Sequence, residues 1–213
     1  MNLSFKQYRA IDLAMMTVLL VLSEAVATMA ATRWFPNEMF SVSTTLAIVC
    51  IVMMRWDGYA VIHAVVGGFV YCLAMGGELQ HYAVYCVGNC GALAALLLLK
   101  AMGKKKVAAK FWSSALFALI AFLGMALGRW GVSFVVQRSD TEAQYILLEL
   151  LRGNIVTLLF TLIAVFVSRR MDGLFEDQRA YLLRMKEEER KEREAQERER
   201  ERENDWNKWD NWS

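Results

Sequence analysis

The residues most able to do chemistry in this 213-residue chain are ionisable and amide side chains embedded in apolar stretches. Ionisable groups are costly in a bilayer, so each one marks a candidate functional position. They are Asp12, Glu24, His63, Asn89, Arg129, Glu149, Arg152 and Asn154.

The chemistry open to this set is binding. A guanidinium next to an indole, as in Arg129-Trp130, suits an anionic or flat aromatic ligand. Glu149 and Arg152 are three residues apart on one predicted helix. They either line a ligand pocket or form a salt bridge that neutralises both. His63 is expected to be an interhelical hydrogen-bond partner.

Catalysis and metal binding have weak signals. The sequence contains no GxxxxGK[ST], HExxH or GxSxG motif, so we predict no enzyme activity and no cofactor. Cys86 and Cys90, with His81 nearby, are a conceivable metal pair, but we interpret them as ordinary buried thiols and predict no metal site. All four cysteines, Cys50 and Cys72 included, lie in apolar stretches, unlike a secreted disulfide framework.

The elements that position these residues are membrane spans. The composition is 56% apolar, and the apolar residues concentrate before residue 170 in blocks close to the roughly 20 residues that cross a bilayer. We predict an all-α integral membrane protein with six transmembrane helices, at residues 11–32, 40–54, 59–75, 82–99, 111–136 and 146–168. A cleaved signal peptide ending near Ala25-Val26-Ala27 is the alternative for the first block, but Asp12 and Glu24 interrupt it, which favours a retained helix.

The basic residues predict the orientation. They concentrate in alternate connections, as Lys6, Arg9, Arg55, Lys100, Lys104, Lys105, Lys106, Lys110, Arg169 and Arg170, whereas the other connections carry only Arg33 and Arg138. Positively charged loops stay in the cytoplasm, so both termini are predicted there, in a multi-pass protein of the cytoplasmic membrane. Glu24, Asn89, Arg129, Glu149, Arg152 and Asn154 then fall in the outer half, which predicts a polar pocket open to the outside.

The chain is predicted to divide into a six-helix membrane domain, 1–170, and a charged cytoplasmic tail, 171–213. Residues 186–203 read KEEERKEREAQERERERE, with opposite charges three and four apart, typical of a solvated helix. Trp206, Trp209 and Trp212 follow, which either anchor the tail to lipid or a partner or belong to a disordered end.

Small residues four apart mark faces where helix backbones approach closely. They are Ala10 with Ala14, Ala27 with Ala31, Ala60 with Ala64 and Gly68, and Gly124 with Gly128. We expect most of these faces to be internal packing and one to dock another membrane protein.

Taken together, residues 6–170 resemble the substrate-binding S components of energy-coupling factor vitamin transporters. The resemblance rests on six spans with both ends inside, Arg9 and small-residue pairs in the first span, a basic loop after the fourth, and a short second span leading through Arg55-Trp56-Asp57-Gly58 into HAVVGGFVYCLAMGG. The charged tail departs from the family pattern.

The resemblance implies a vitamin-sized ligand bound in the outer half, among the first loop and spans 4 to 6. It also implies a coupling transmembrane protein and two cytoplasmic ATPases as partners, docked through Ala10, Ala14, Ala27 and Ala31. With the polar residues, this predicts a substrate-binding subunit of an ATP-driven importer. Arg129, Glu149, Arg152 and Asn154 would contact the nutrient, with Trp130, Asn89 and Glu24 as secondary contacts. The expected partners include membrane lipid but no nucleic acid.

The alternative is a scaffold. Small membrane proteins that organise cell-shape and cell-wall synthesis have a similar size and helix count. In that interpretation the charged tail is the functional part.

Overall fold

The computed structural model describes residues 4–34, 42–137 and 151–210, with side chains as far as residue 202. All the regular structure in these ranges is helical. The helices are α1 (Phe5–Trp34), α2 (Thr45–Trp56), α3 (Ala60–Met75), α4 (Leu79–Met102), α5 (Lys104–Ala109), α6 (Phe111–Gln137), α7 (Ile155–Arg170) and α8 (Gln178–Asp210).

Four helical stretches are long and apolar enough to cross a membrane: Phe5–Trp34, Thr45–Met75, Leu79–Met102 and Phe111–Val136. With many large apolar side chains exposed along these stretches, such as Leu22 on α1 and Leu97 on α4, this is an all-α membrane protein.

The stretch Thr45–Met75 is a hairpin of two helices. A 3₁₀ turn at Asp57–Tyr59 separates α2 from α3, and Asp57 takes a positive φ of 53°. The helices then pack against each other, so that Gly67 of α3 lies against the Thr45 side chain at the start of α2. The sequence predicts this division into a short second span and a third span.

Helix ends differ from the predicted bounds where side chains cap the backbone. α1 begins six residues early, at Phe5 instead of 11, because Ser4 and Gln7 exchange side-chain to backbone hydrogen bonds of 2.9 and 3.3 Å. α2 begins at Thr45 instead of 40. The predicted sixth span starts at 146, outside the described residues, and α7 begins at Ile155 after a turn at Asn154.

The helices pack as a ring with one helix outside it. α2 contacts α3, α3 contacts α4, α4 contacts α6, and α7 closes the ring against α6 and α2, while α1 lies against α3 and α2. α2 is almost entirely buried within this arrangement. On α1 the buried positions are Leu20, Glu24 and Thr28, four residues apart on one face.

Glycines set the closest contact, between α4 and α6. A Cβ built on Gly91 would lie 2.1 Å from the carbonyl oxygen of Gly124, and one on Gly128 would lie 2.3 Å from that of Gly88. The Gly124–Gly128 pair is therefore internal packing, and it brings the polar residues of the two helices together.

The basic residues Arg55, Lys104 and Arg169 gather at one end of the bundle. Lys104 Nζ lies 2.9 Å from a carboxylate oxygen of Asp57, and Arg169 donates to the carbonyls of Ala108 and Ala109.

The chain forms two compact units, Met1–Glu176 and Asp177–Ser213. The first unit extends beyond residue 170 because the segment after α7 packs on the bundle: Arg55 Nη1 donates to the Gly173 carbonyl at 2.6 Å, and Phe175 packs edge-on against Phe117. The second unit carries α8, whose exposed ion pairs, Arg190–Glu194 and Arg193–Glu189, have the predicted four-residue spacing.

Candidate functional site

The strongest candidate site surrounds Arg129, which is only 2% exposed although it carries a permanent charge. Its Nε donates to Oδ1 of Asn89 at 2.8 Å, and its Nη1 donates to Oδ1 of Asn154 at 3.1 Å. Its guanidinium carbon lies 4.6 Å from the ring centroid of Tyr85. We call Arg129, Asn89, Asn154 and Tyr85 the arginine cluster.

Backbone proximity positions this cluster. A Cβ on Gly88 would lie 2.6 Å from Cα of Arg129, so only glycine lets α4 lie this close to α6. Asn89, the next residue, is fixed on its other side because its Nδ2 donates to the Ala64 carbonyl of α3 at 3.2 Å. Asn154 comes from the turn that precedes α7, so α4, α6 and this turn each contribute to the hydrogen-bonded set of Asn89, Arg129 and Asn154.

An aromatic pair extends the cluster towards α3. Tyr85 stacks on Tyr71, with ring centroids 4.6 Å apart and an interplanar angle of 29°. The same part of α4 is irregular, with a π-helical turn at Ala83–Val87 and a 3₁₀ segment at Asn89–Ala94 on either side of Gly88. Irregular turns of this kind are frequent at functional sites.

The carboxyl group of Glu24 caps α2. Its Oε2 accepts from Thr44 N at 2.7 Å, Thr44 Oγ1 at 2.9 Å and Thr45 N at 2.9 Å. Ser43 N is satisfied separately by Thr157 Oγ1 of α7 at 3.1 Å. A short helix that begins inside an apolar bundle needs such acceptors, because its first amides have no intrahelical partner.

The arginine cluster and the Glu24 carboxyl group both lie far from the basic end of the bundle. Asp12 and Glu24 are separated by 12 residues of α1, or about 18 Å, and Phe111 and Arg129 by 18 residues of α6, or about 27 Å. Glu24, Asn89, Arg129 and Asn154 thus occupy the half of the bundle away from Arg55 and Lys104.

At the basic end, a separate set of ion-pair and hydrogen-bond contacts joins α1 to α2. Asp12 accepts from Arg55 through both oxygens, at 2.5 and 3.0 Å, and from the Trp56 indole at 2.5 Å. His63 lies between the two ends, with Nε2 3.3 Å from Thr17 Oγ1 and from the Leu13 carbonyl of α1. This geometry agrees with a role in joining helices rather than in binding a ligand.

The other predicted site residues make none of the hydrogen bonds of Arg129 given above, or they lie outside the described residues. Trp130 is half-buried and packs against Phe134, with ring centroids 6.3 Å apart. Arg152 is exposed. Glu149 lies outside the described residues. Glu24, predicted as a secondary ligand contact, uses Oε2 to cap α2, and its Oε1 has no hydrogen-bond partner among the described residues.

The predicted docking alanines are accessible on α1. Ala10 and Ala14 are exposed, and Ala27 and Ala31 are half-exposed.

Cys86 and Cys90 are linked only by a contact from Cys90 Sγ to the Cys86 carbonyl at 3.5 Å, and the described part of the chain contains no group of three His, Cys, Asp or Glu side chains suited to a metal.

Two pairs of residues that the structure places in these polar groups are not identified from the sequence. Thr44 and Thr45 had a usable signal, since the run SVSTT directly precedes an apolar helix and hydroxyl residues are common at helix N-termini. Tyr71 and Tyr85 had none, because their approach depends on the packing of α3 against α4.

The arginine cluster has the chemistry of a binding site. A buried guanidinium is held by neutral partners, and no carboxylate of the described residues lies within ion-pair distance of it. Such a group favours a carboxylate or phosphate group presented to it, with a flat ring stacked nearby. No family model, curated protein or solved structure matches the chain.

Proposed function

We propose that this chain is the membrane-embedded substrate-binding subunit of an ATP-driven importer for a vitamin-sized nutrient. The observation that supports this most strongly is the arginine cluster: a buried, permanently charged side chain bonded to Asn89 of α4 and to Asn154 in the turn before α7, beside a stacked tyrosine pair. A scaffold has no need for a cation inside its bundle that lacks an ion-pair partner among the described residues, whereas a binding site uses such a cation to recognise a ligand.

In this proposal the protein has six spans and both ends in the cytoplasm. The basic end, with Arg55, Lys104 and Arg169, faces inward, and the arginine cluster lies in the outer half of the membrane. The nutrient places an acidic group near Arg129 and packs a ring or apolar part near Tyr85. In this proposal Arg152 and Glu149 are further contacts to the nutrient.

The partners are a coupling membrane protein and two cytoplasmic ATPases. The chain has no phosphate-binding loop of its own, so energy must be supplied by another subunit. The exposed alanines Ala10 and Ala14 on α1 offer a flat surface for a partner helix. These partners are tested by purifying the tagged protein from native membranes in mild detergent and identifying the co-purified proteins by mass spectrometry.

Recovery of paired ATPases and a coupling membrane protein is the expected outcome. Ala14→Leu, which enlarges this face, should reduce that recovery, whereas Leu97→Ala on exposed α4 should not. Recovery of cell-wall synthesis proteins without any ATPase would contradict the proposal.

One observation favours the second candidate, a scaffold acting through its tail. Asp177–Ser213 forms a compact unit with a long charged helix, a surface suited to protein partners. Deletion of 177–213 separates the two functions, and it retains the segment around Gly173 that packs on the bundle. An importer subunit keeps ligand binding after this deletion, whereas a tail-driven scaffold loses its partners.

A further inference from the structure

A second polar group, at the junction of α1, α2 and α3, has three buried oxygen atoms that the capping of α2 does not use. They are Glu24 Oε1, Thr28 Oγ1 and Thr45 Oγ1, and none of them has a hydrogen-bond partner among the described residues. The three residues are at most 1% exposed. An unsatisfied polar atom in an apolar interior costs about 1–3 kcal/mol, so three together call for an occupant.

The three residues that carry these oxygens are neighbours in the fold. Thr28 lies one turn after Glu24 on the same face of α1, and the Thr45 amide is 2.9 Å from the other oxygen of the same carboxyl group. Thr45 Oγ1 reaches the α3 side because Gly67 there has no side chain: a Cβ on Gly67 would lie 2.2 Å from that oxygen.

The hydroxyl of Thr28 differs from those of three other threonines that lie within helices of the bundle. Thr17, Thr32 and Thr161 each return their hydroxyl hydrogen to the preceding turn of their own helix, to the carbonyls of Leu13, Thr28 and Thr157, at 2.7–3.0 Å. Thr28 does not make this bond. Thr45 is the first residue of α2, so its helix has no preceding turn that could accept its hydroxyl hydrogen.

The two backbone amides at this junction are already used, because the amides of Thr44 and Thr45 donate to Glu24 Oε2, as does the Thr44 hydroxyl. What remains is one carboxyl oxygen and two hydroxyl groups, which can turn their hydrogens away and offer their oxygens as ligands. The only one of these three groups that can carry a charge is an acid, so the set suits a positively charged occupant. With a single carboxylate, the set suits a monovalent cation better than Ca²⁺ or Mg²⁺, which take more oxygen ligands and retained water.

We propose that Glu24, Thr28 and Thr45 form a monovalent-cation site at the junction of α1, α2 and α3. The cation is either an inorganic ion such as Na⁺ or the protonated amine of a bound nutrient; oxygen ligands of this kind hold both. The inorganic case stands independently of the proposed transport function, whereas the amine case rests on it.

The test for an inorganic ion uses the full chain purified in a choline chloride buffer free of Na⁺ and K⁺. The unfolding temperature is measured as NaCl or KCl replaces choline chloride at constant ionic strength. We expect a saturable rise with one of the alkali ions. Thr28→Val should weaken the apparent affinity for the ion about tenfold, which corresponds to about 1.4 kcal/mol. Thr32→Val, which removes a self-satisfied hydroxyl from the same helix, should leave the affinity unchanged.

The test for an amine uses native mass spectrometry of the same protein, purified directly from membranes. If the unfolding temperature shows no alkali-ion response, a bound small molecule that contains a basic amine should be present. Its occupancy should fall in Thr28→Val and Thr45→Val and persist in Thr32→Val. These valine variants keep the shape of threonine, so they remain informative if Glu24→Gln fails to fold for lack of its cap on α2.

The proposal is overturned if neither an alkali-ion response nor an amine-bearing molecule is found. It is also overturned if Thr28→Val and Thr32→Val behave alike in whichever measurement is positive. A saturable alkali-ion response in protein that carries no nutrient would support the cation site while contradicting the transport function, so the two failures are distinguishable.

Discussion

Nε of Arg129 donates a 2.8 Å hydrogen bond to Oδ1 of Asn89, and this bond joins α6 to α4 at the level where the two backbones are closest. The bond makes the arginine dependent on a neighbour that no motif identifies. The bond also links the candidate site to a third helix, since Nδ2 of Asn89 donates to the Ala64 carbonyl of α3.

Asn89→Ala should destabilise the protein. The change leaves the buried Nε of Arg129 without its acceptor, and an unsatisfied buried donor costs about 1–3 kcal/mol. The free energy of unfolding, measured by titration with a denaturing detergent, checks this. Leu97→Ala on the exposed side of α4 is the control and should have a much smaller effect. Equal losses in the two variants would contradict a structural role for the Arg129–Asn89 bond.

Gly128→Ala and Gly131→Ala should differ sharply although both lie on α6. A Cβ on Gly128 meets the Gly88 carbonyl at 2.3 Å, whereas a Cβ on Gly131 meets nothing within 4 Å. Because backbone cannot move aside as a flexible side chain does, Gly128→Ala should lower the free energy of unfolding by about 1–3 kcal/mol. Gly131→Ala should be neutral or stabilising. The packing of α4 on α6 would be refuted if Gly128→Ala were tolerated as well as Gly131→Ala.

Two ion pairs at the basic end should make unequal contributions to stability. Asp12 is nearly buried with Arg55, whereas Asp57, paired with Lys104, is 63% exposed. Asp12→Asn should cost about 3 kcal/mol, because it leaves the buried guanidinium of Arg55 without a counter-charge. Asp57→Asn should cost less than about 1 kcal/mol, and only its effect should diminish in high salt. Similar losses of unfolding free energy in both variants would be the contrary result.

Part of the fold could be read from the sequence because membrane spans have a strong and local signal. The apolar length of α6 and the reversal near Arg55-Trp56-Asp57-Gly58 are both visible in the residues. The start of α2 was misplaced by five residues, because it depends on the carboxyl group of Glu24, which is 20 residues away in sequence.

The candidate site was predicted only in part, for a related reason. Burial cost identifies Arg129, Asn89 and Asn154 as unusual residues, and the structure brings these three together. The same argument cannot place Glu24, whose carboxyl group caps a helix, or find Tyr85, an ordinary aromatic residue in an apolar stretch. Which polar groups meet is decided by long-range packing, here by Gly88 against the backbone of Arg129.

The central claim, that the arginine cluster binds a nutrient, is tested most directly by native mass spectrometry of protein released gently from its own membranes. The wild-type chain and Arg129→Met are compared, with Arg152→Ala as a second variant from the predicted site and a monodisperse gel-filtration profile as the check on folding. The account predicts an additional small-molecule mass on the wild-type chain that is absent from folded Arg129→Met. A wild-type chain without any bound molecule, or the same bound mass on Arg129→Met, would contradict it.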